Sequence, residues 1–256
     1  MKKLIAILCC LMTLTACVKA DEAEPQSNFT DEMKLAYGQD ISLEDGADAV
    51  ERLGDHKASP YFTQLDFYNM ESTDTLTILP HFKTIQQSSE WSCGVASAMM
   101  VLAYYDKLGD YDEYSLAQLR SNGLTPEATT LRQAMEIFDA VGGFELETTF
   151  DYGEGLAEEF ALSTIQNYLK DGVPVMVAWN DWGGHWQVII GYDTMGTETE
   201  QDDVLIMADP YDTTDHNQDG YVIYPAERFF YNFTMYDFFP EEELNEMLFI
   251  AARPIE

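Results

Sequence analysis

The sequence predicts an α+β fold in a single domain. Segments with helical spacing of apolar residues come first and segments of strand chemistry come later, and no internal repeat is present. With 46% hydrophobic residues, the chain has the means to bury an ordinary core without disulfide or metal staples.

The elements follow in order. Residues 75–82 open with Thr75, Leu76, Thr77, Ile78 and Leu79 and stop at Pro80, which predicts a strand and then a loop. A helix is expected over 92–107, with Ser92 as N-cap, because Val95, Met99, Leu102 and Tyr104 or Tyr105 recur at helical spacing. A second helix over 130–141 is closed by Gly142 and Gly143, and a third over 163–170 by Gly172. Strands are expected over 173–179, 185–192 and 204–208. A short helix starts at Pro225, and residues 247–251 form a closing strand.

The chain start reads as an export signal. Lys2 and Lys3 precede an apolar run over 4–14, inside the roughly 7–15 residues of a signal core and too short to span a bilayer. Leu14, Thr15, Ala16 and Cys17 then resemble the bacterial lipobox, in which the Cys is lipidated before the signal is cut. A plain secretory signal cut near Ala16 is the alternative. Residues 1–16 are thus assigned to a lipoprotein signal, and 17–37 to the lipidated Cys17 and a polar, acidic tether. The tether has a random-coil reach of ~25 Å. Residues 38–78 form an extension packing on the main domain, and 79–256 the domain itself. The expected location is a bacterial cell surface or the periplasmic face of a membrane.

Charge narrows the partners. Without Lys2 and Lys3, 11 basic residues face 46 acidic ones, a formal charge of −35. Nucleic acid is disfavoured as a partner, and anionic headgroups repel the domain, so contact with the membrane is expected through the lipid alone. The acidity itself is read as a solubility device for a salty exterior.

Cysteine arithmetic isolates one thiol. Cys9 and Cys10 leave with the signal, Cys17 carries lipid, and Cys93 remains without a partner. A thiol with a pKa of ~8.5 is mostly protonated at neutral pH, and a helix start favours the anion. Cys93 sits one residue after the expected N-cap, and Gly94 would admit a substrate backbone. A small core residue is the rival reading of a Cys in that place.

The run from Gln87 through Ser92, Cys93 and Gly94 into the apolar helix resembles the nucleophile segment of the papain-like peptidases that process bacteriocin leaders, and of their C-thirty-nine-like relatives. That resemblance implies a papain-like fold, with the nucleophile helix in an N-terminal helical part packed on a C-terminal antiparallel sheet. It implies an oxyanion-hole Gln six residues before the Cys, where Gln87 stands; Gln86 competes with the register shifted by one. It implies a His opening a strand, matched by His185 after Gly183 and Gly184, and an Asp-Pro closing the next strand, matched by Asp209 and Pro210. The expected chemistry is thiol-dependent peptide cleavage: Cys93 attacks, His185 is the base, Asp209 orients it, and Gln87 with the Cys93 amide holds the oxyanion.

The residues leave rivals open. His56, His81 and His216 are the other histidines, and Asp193 ends the same strand as His185. Trp186 reads as a lid over the base or as ordinary packing on the sheet. A peptide or protein substrate and a monomer are expected. The same triad serves acyl or peptidyl transfer, and a non-catalytic surface binding module is a further alternative.

Asp215, Asn217, Asp219 and Gly220 have the spacing of the first half of a calcium loop, with the Tyr221 carbonyl as a fourth ligand. The twelfth position is Ala226, with Glu227 one residue late, so the closing bidentate ligand of an EF-hand is missing. An acidic surface turn is the competing reading. The chemistry itself requires no cofactor, and such a calcium would be structural.

Overall fold

The structure is a computed structural model, and it describes residues 32–49, 65–153, 156–213, 218–240 and 242–255. The signal, Cys17 and the first part of the tether, together with His56, Asp215, His216 and Asn217, lie outside the described residues.

The element order is β1 (Leu76–Ile78), α1 (Cys93–Tyr104), α2 (Glu113–Ala117), α3 (Leu131–Val141), β2 (Phe144–Thr148), α4 (Thr149–Tyr152), α5 (Leu156–Glu159), α6 (Leu162–Lys170), β3 (Val175–Trp179), β4 (His185–Asp193), β5 (Val204–Ala208), β6 (Tyr221–Pro225), α7 (Ala226–Tyr231) and β7 (Leu248–Pro254). The strands form one seven-stranded antiparallel sheet in the order β2-β7-β3-β4-β5-β6. β1 pairs with the far end of β4, at Gly191 to Asp193, while β3 pairs with its first half, at His185 to Ile189. The two therefore share one edge of β4 end to end.

Strands β3 and β4 are buried almost throughout, which explains why their sequences run apolar without alternation. Both α1 and α6 pack on them. In α1 every residue from Cys93 to Leu102 is buried, as expected of a helix apolar all round. α3 instead buries one stripe, Leu131, Ala134, Ile137 and Phe138. Its start is a reciprocal cap: Gln133 N donates to Thr130 Oγ1 at 3.3 Å, and Thr130 N to Gln133 Oε1 at 2.9 Å.

Four local expectations need correction. Ser92 precedes α1 but does not cap it, because its Oγ donates to Ser89 O at 3.0 Å and accepts from Ser89 N at 3.2 Å. The polar stretch expected to reach residue 37 is already docked at Met33 and Leu35, both buried and paired with Thr84. The helices after β1 do not all precede the remaining strands, since β2 comes before α6. Finally, α2, β2 and β6 were not anticipated: α2 is a five-residue helix, and β2 and β6 are only partly buried, so their apolar signal is weak.

Candidate active site

The antiparallel pairing of β4 with β5 brings the start of one strand beside the end of the other. His185 opens β4 and Asp209 follows β5 directly, so their side chains meet: Nε2 of His185 lies 2.6 Å from Oδ1 of Asp209. Both are buried. The carboxylate is fixed in turn, because Tyr211 N donates to the same Oδ1 at 2.7 Å and Asp209 N donates to Gly220 O at 2.9 Å.

Cys93 is the first residue of α1, and its thiol faces the imidazole. Burial alone would lower the His185 pKa; the charge and hydrogen bond of Asp209, followed by those of Cys93, outweigh burial and raise it. With Nε2 committed to Asp209, Nδ1 is the nitrogen left for the thiol. The helix is locked to the base-bearing strand one turn further on, where Ser97 Oγ donates to Trp186 O at 3.1 Å. The N–H of Cys93, at the first helical position, has no intrahelical acceptor.

Gly94 has a role other than the one expected, and of the two readings of Trp186 packing holds. A Cβ on Gly94 would stand 2.7 Å from Thr129 Cβ and 3.0 Å from Trp186 Cδ1, so the space is filled by the protein itself and not by substrate. Trp186 is 1% exposed and donates Nε1–H to Thr129 O at 2.7 Å; it is a strut between β4 and the 120–129 loop, not a lid. Trp182 is exposed, at 66%, and its ring lies 6.5 Å from that of Tyr211, which in turn lies 6.4 Å from the His185 ring.

Gln87 is 1% exposed. Its Nε2 donates to Ser89 O at 2.7 Å, which uses one of its two amide hydrogens. Gln86 turns away, donating Nε2–H to Asp212 O at 2.6 Å. His81 packs tilted against Tyr68, with ring centroids 5.0 Å apart. Asp193 bonds Met195 N at 2.8 Å and sits at the opposite end of β4 from His185, about 26 Å away at strand rise. In the calcium-like run, Tyr221 begins β6, Asp219 is 1% exposed with Oδ1 accepting from Tyr221 N at 3.0 Å, and Lys34 Nζ donates to Asp219 O at 2.5 Å.

Several groups of the site escaped the sequence. Arg120 is 2% exposed and close enough for its charge to act on Cys93; burial lowers its pKa to about 10, so it stays cationic. It stacks over Trp91 at 4.5 Å and is caged by oxygen acceptors, including Thr129 Oγ1 at 2.9 Å and Gly123 O at 2.6 Å. Bonds to a charged donor contribute about 1.5–3 kcal/mol each, enough together to offset a desolvation cost of several kcal/mol. Asp181 accepts from Tyr224 Oη at 2.8 Å and Gln187 Nε2 at 3.3 Å, and burial raises its pKa. Glu113 holds the Ser88 amide from α2. Asp112 with Ser115 three residues later is a helix-start signal that marks α2, but nothing local says that the Glu113 carboxylate points inward.

A buried thiol at a helix start, faced by an imidazole that a carboxylate orients at the end of an antiparallel sheet, defines the papain-like cysteine peptidases. The chain belongs to the Peptidase_C39 like family, whose sequence model matches residues 79–236, and it is a peptidase of the cysteine type. Among solved structures it is similar to a double glycine motif protease from an AMS/PCAT transporter, in complex with the leader peptide. The identity is 20% and the TM-score 0.39, over 71% of this chain and 96% of that chain. A search of the curated proteins gives no match.

Proposed function

We propose that this chain cleaves peptides outside the cytoplasm through a Cys93-His185-Asp209 triad, held near a membrane by lipid on Cys17. The observation that carries the catalytic part is the placement of His185 between Asp209 Oδ1 at 2.6 Å and the Cys93 thiol. The Cys93 thiolate adds to the peptide carbonyl carbon; a C–S bond forms, and the π pair moves onto the oxygen. Gln87 Nε2 and the Cys93 N–H hold that oxyanion. The tetrahedral species collapses, the C–N bond breaks, and imidazolium His185 gives its proton to the leaving amine. Water, deprotonated by His185, then adds to the thioester, and the thiolate departs to leave a free carboxylate. No step needs a metal.

Intact-mass analysis after incubation with a thiol-directed peptide electrophile tests this reading. One adduct mapping to Cys93 and lost in His185→Ala supports it. Modification elsewhere, or an adduct indifferent to His185, sinks it. Diversion of product by an added amine would assign the same triad to acyl transfer.

A further inference from the structure

The peptide unit between Gln87 and Ser88 is held at both of its polar atoms by groups that the triad does not use. Gln87 O accepts from Asp48 N at 3.2 Å. Ser88 N donates to both carboxylate oxygens of Glu113, at 3.1 and 3.0 Å, and Glu113 is 4% exposed. Next along the chain, Ser88 Oγ accepts from Ile41 N at 2.9 Å, and Gln87 N donates to Pro210 O, beside Asp209, at 2.9 Å. Gly46 lies against the backbone of both Gln87 and Ser88. A Cβ there would come 2.3 Å from Ser88 C and 2.6 Å from Gln87 O, distances that no side chain can adopt. Its role is close approach, not an unusual backbone angle.

Ile41, Gly46 and Asp48 belong to a segment outside residues 79–236, which the family model matches. That segment is tied down further by Gln39 N donating to Asp112 Oδ2 at 2.8 Å, at the cap of the helix that carries Glu113. One structural unit thus grips both the helix and the loop. Both Glu113 oxygens take the same amide hydrogen, so Glu113 is the side chain that fixes the Ser88 N–H within the grip.

We propose that residues 38–49 and Glu113 form a brace that positions the Gln87 carboxamide for the oxyanion, which makes the extension a working part of the active site. The proposal rests on the peptidase reading above. Its force comes from geometry. An oxyanion donor is worth about 10²–10³ in rate, and a displacement of about 1 Å in a positioned group costs roughly 10²-fold. A Cβ at position 46 must move the backbone of Gln87 and Ser88 by about that much to relieve contacts of 2.3 Å to Ser88 C and 2.6 Å to Gln87 O.

Two reagents acting on the same sulfur of the full chain test it. Acetyl-glycyl-glycinal, an aldehyde, takes a C–S bond from the thiolate, its carbonyl π pair moves to oxygen, and that oxygen needs the hole. Iodoacetamide reacts at a saturated carbon and expels iodide, so it forms no oxyanion. In Gly46→Ala the aldehyde dissociation constant, read as protection of Cys93 from alkylation, is expected to rise at least tenfold. The iodoacetamide rate should stay within twofold of wild type. Glu113→Ala should behave alike, and Glu113→Gln, which keeps an oxygen to accept from Ser88 N, should recover most of the aldehyde affinity. Unchanged aldehyde affinity in Gly46→Ala and Glu113→Ala overturns the brace, as does a parallel fall in alkylation rate. A wild-type chain that reacts with neither reagent faster than free cysteine overturns the peptidase reading and the brace with it.

Discussion

Asp209 holds the His185 ring at 2.6 Å through the same oxygen that accepts the Tyr211 backbone N–H at 2.7 Å. The orienting carboxylate is therefore itself oriented, and the imidazole has one way to face Cys93. Because Asp209 and Cys93 raise the His185 pKa, the ring is cationic at mildly acidic pH and stabilises a neighbouring thiolate. Iodoacetamide should label Cys93 at pH 6, well below the ~8.5 of an ordinary thiol. His185→Ala should slow that labelling at least tenfold, and Asp209→Ala less, because in the proposed triad Asp209 orients the base and does not take the proton. Labelling that follows an ordinary thiol titration and ignores His185 would return Cys93 to the core.

Glu113 gives the fold a pH dependence of its own. Burial, with a smaller contribution from the Asp48 charge, raises its pKa to about 7 against the bonds from Ser92 and Ser88. A carboxyl raised from 4.5 to about 7 binds more protons folded than unfolded between those values, so its contribution to stability falls as pH rises across that window. The loss is up to about 3 kcal/mol. Urea unfolding of wild type and Glu113→Gln should agree near pH 5 and diverge by pH 8, with the variant the more stable. Parallel pH profiles for the two chains would exclude this role.

Gly94 sits in a helix, where Ala is the better residue by about 1 kcal/mol. The contact made by its Cβ decides against Ala, at 2.7 Å from Thr129 and 3.0 Å from Trp186 Cδ1. Gly94→Ala should therefore destabilise the fold by about 1–3 kcal/mol, as overpacking does, and be visible as a lower urea midpoint. An equal or higher midpoint would mean that the 120–129 loop gives way freely.

Anchoring is checked by fractionation. Cys17→Ser should leave the membrane fraction or fail to mature, whereas retention equal to wild type would defeat the lipid assignment.

The main elements of the site were legible because each rests on a local signal. Thr130 with Gln133 marks the start of α3, Gly172 follows α6, and the apolar run after Gly184 marks β4 from its first residue, His185. What escaped was long-range. β2 pairs Phe144 with Pro254, across more than a hundred residues of chain, and its own partly exposed residues give a weak period. Gly94 was misjudged, and Trp186 left open, for the same reason: the atoms that fill the space between them belong to Thr129. The inward turn of Glu113 depends on Ser88, which no spacing rule connects to it.

The shared edge of β4 makes the boundary at residue 79 hazardous for anyone shortening the chain. β1 covers Gly191 to Asp193, and β1 ends at Ile78, one residue before the family match begins. A fragment cut at that boundary would carry Cys93, His185 and Asp209 yet expose a bare rung of amides and carbonyls in mid-sheet, beside the apolar Ile190 and Tyr192. Such an edge recruits strands from other molecules. Trimming to the family limits would produce an aggregating protein for reasons unrelated to its chemistry.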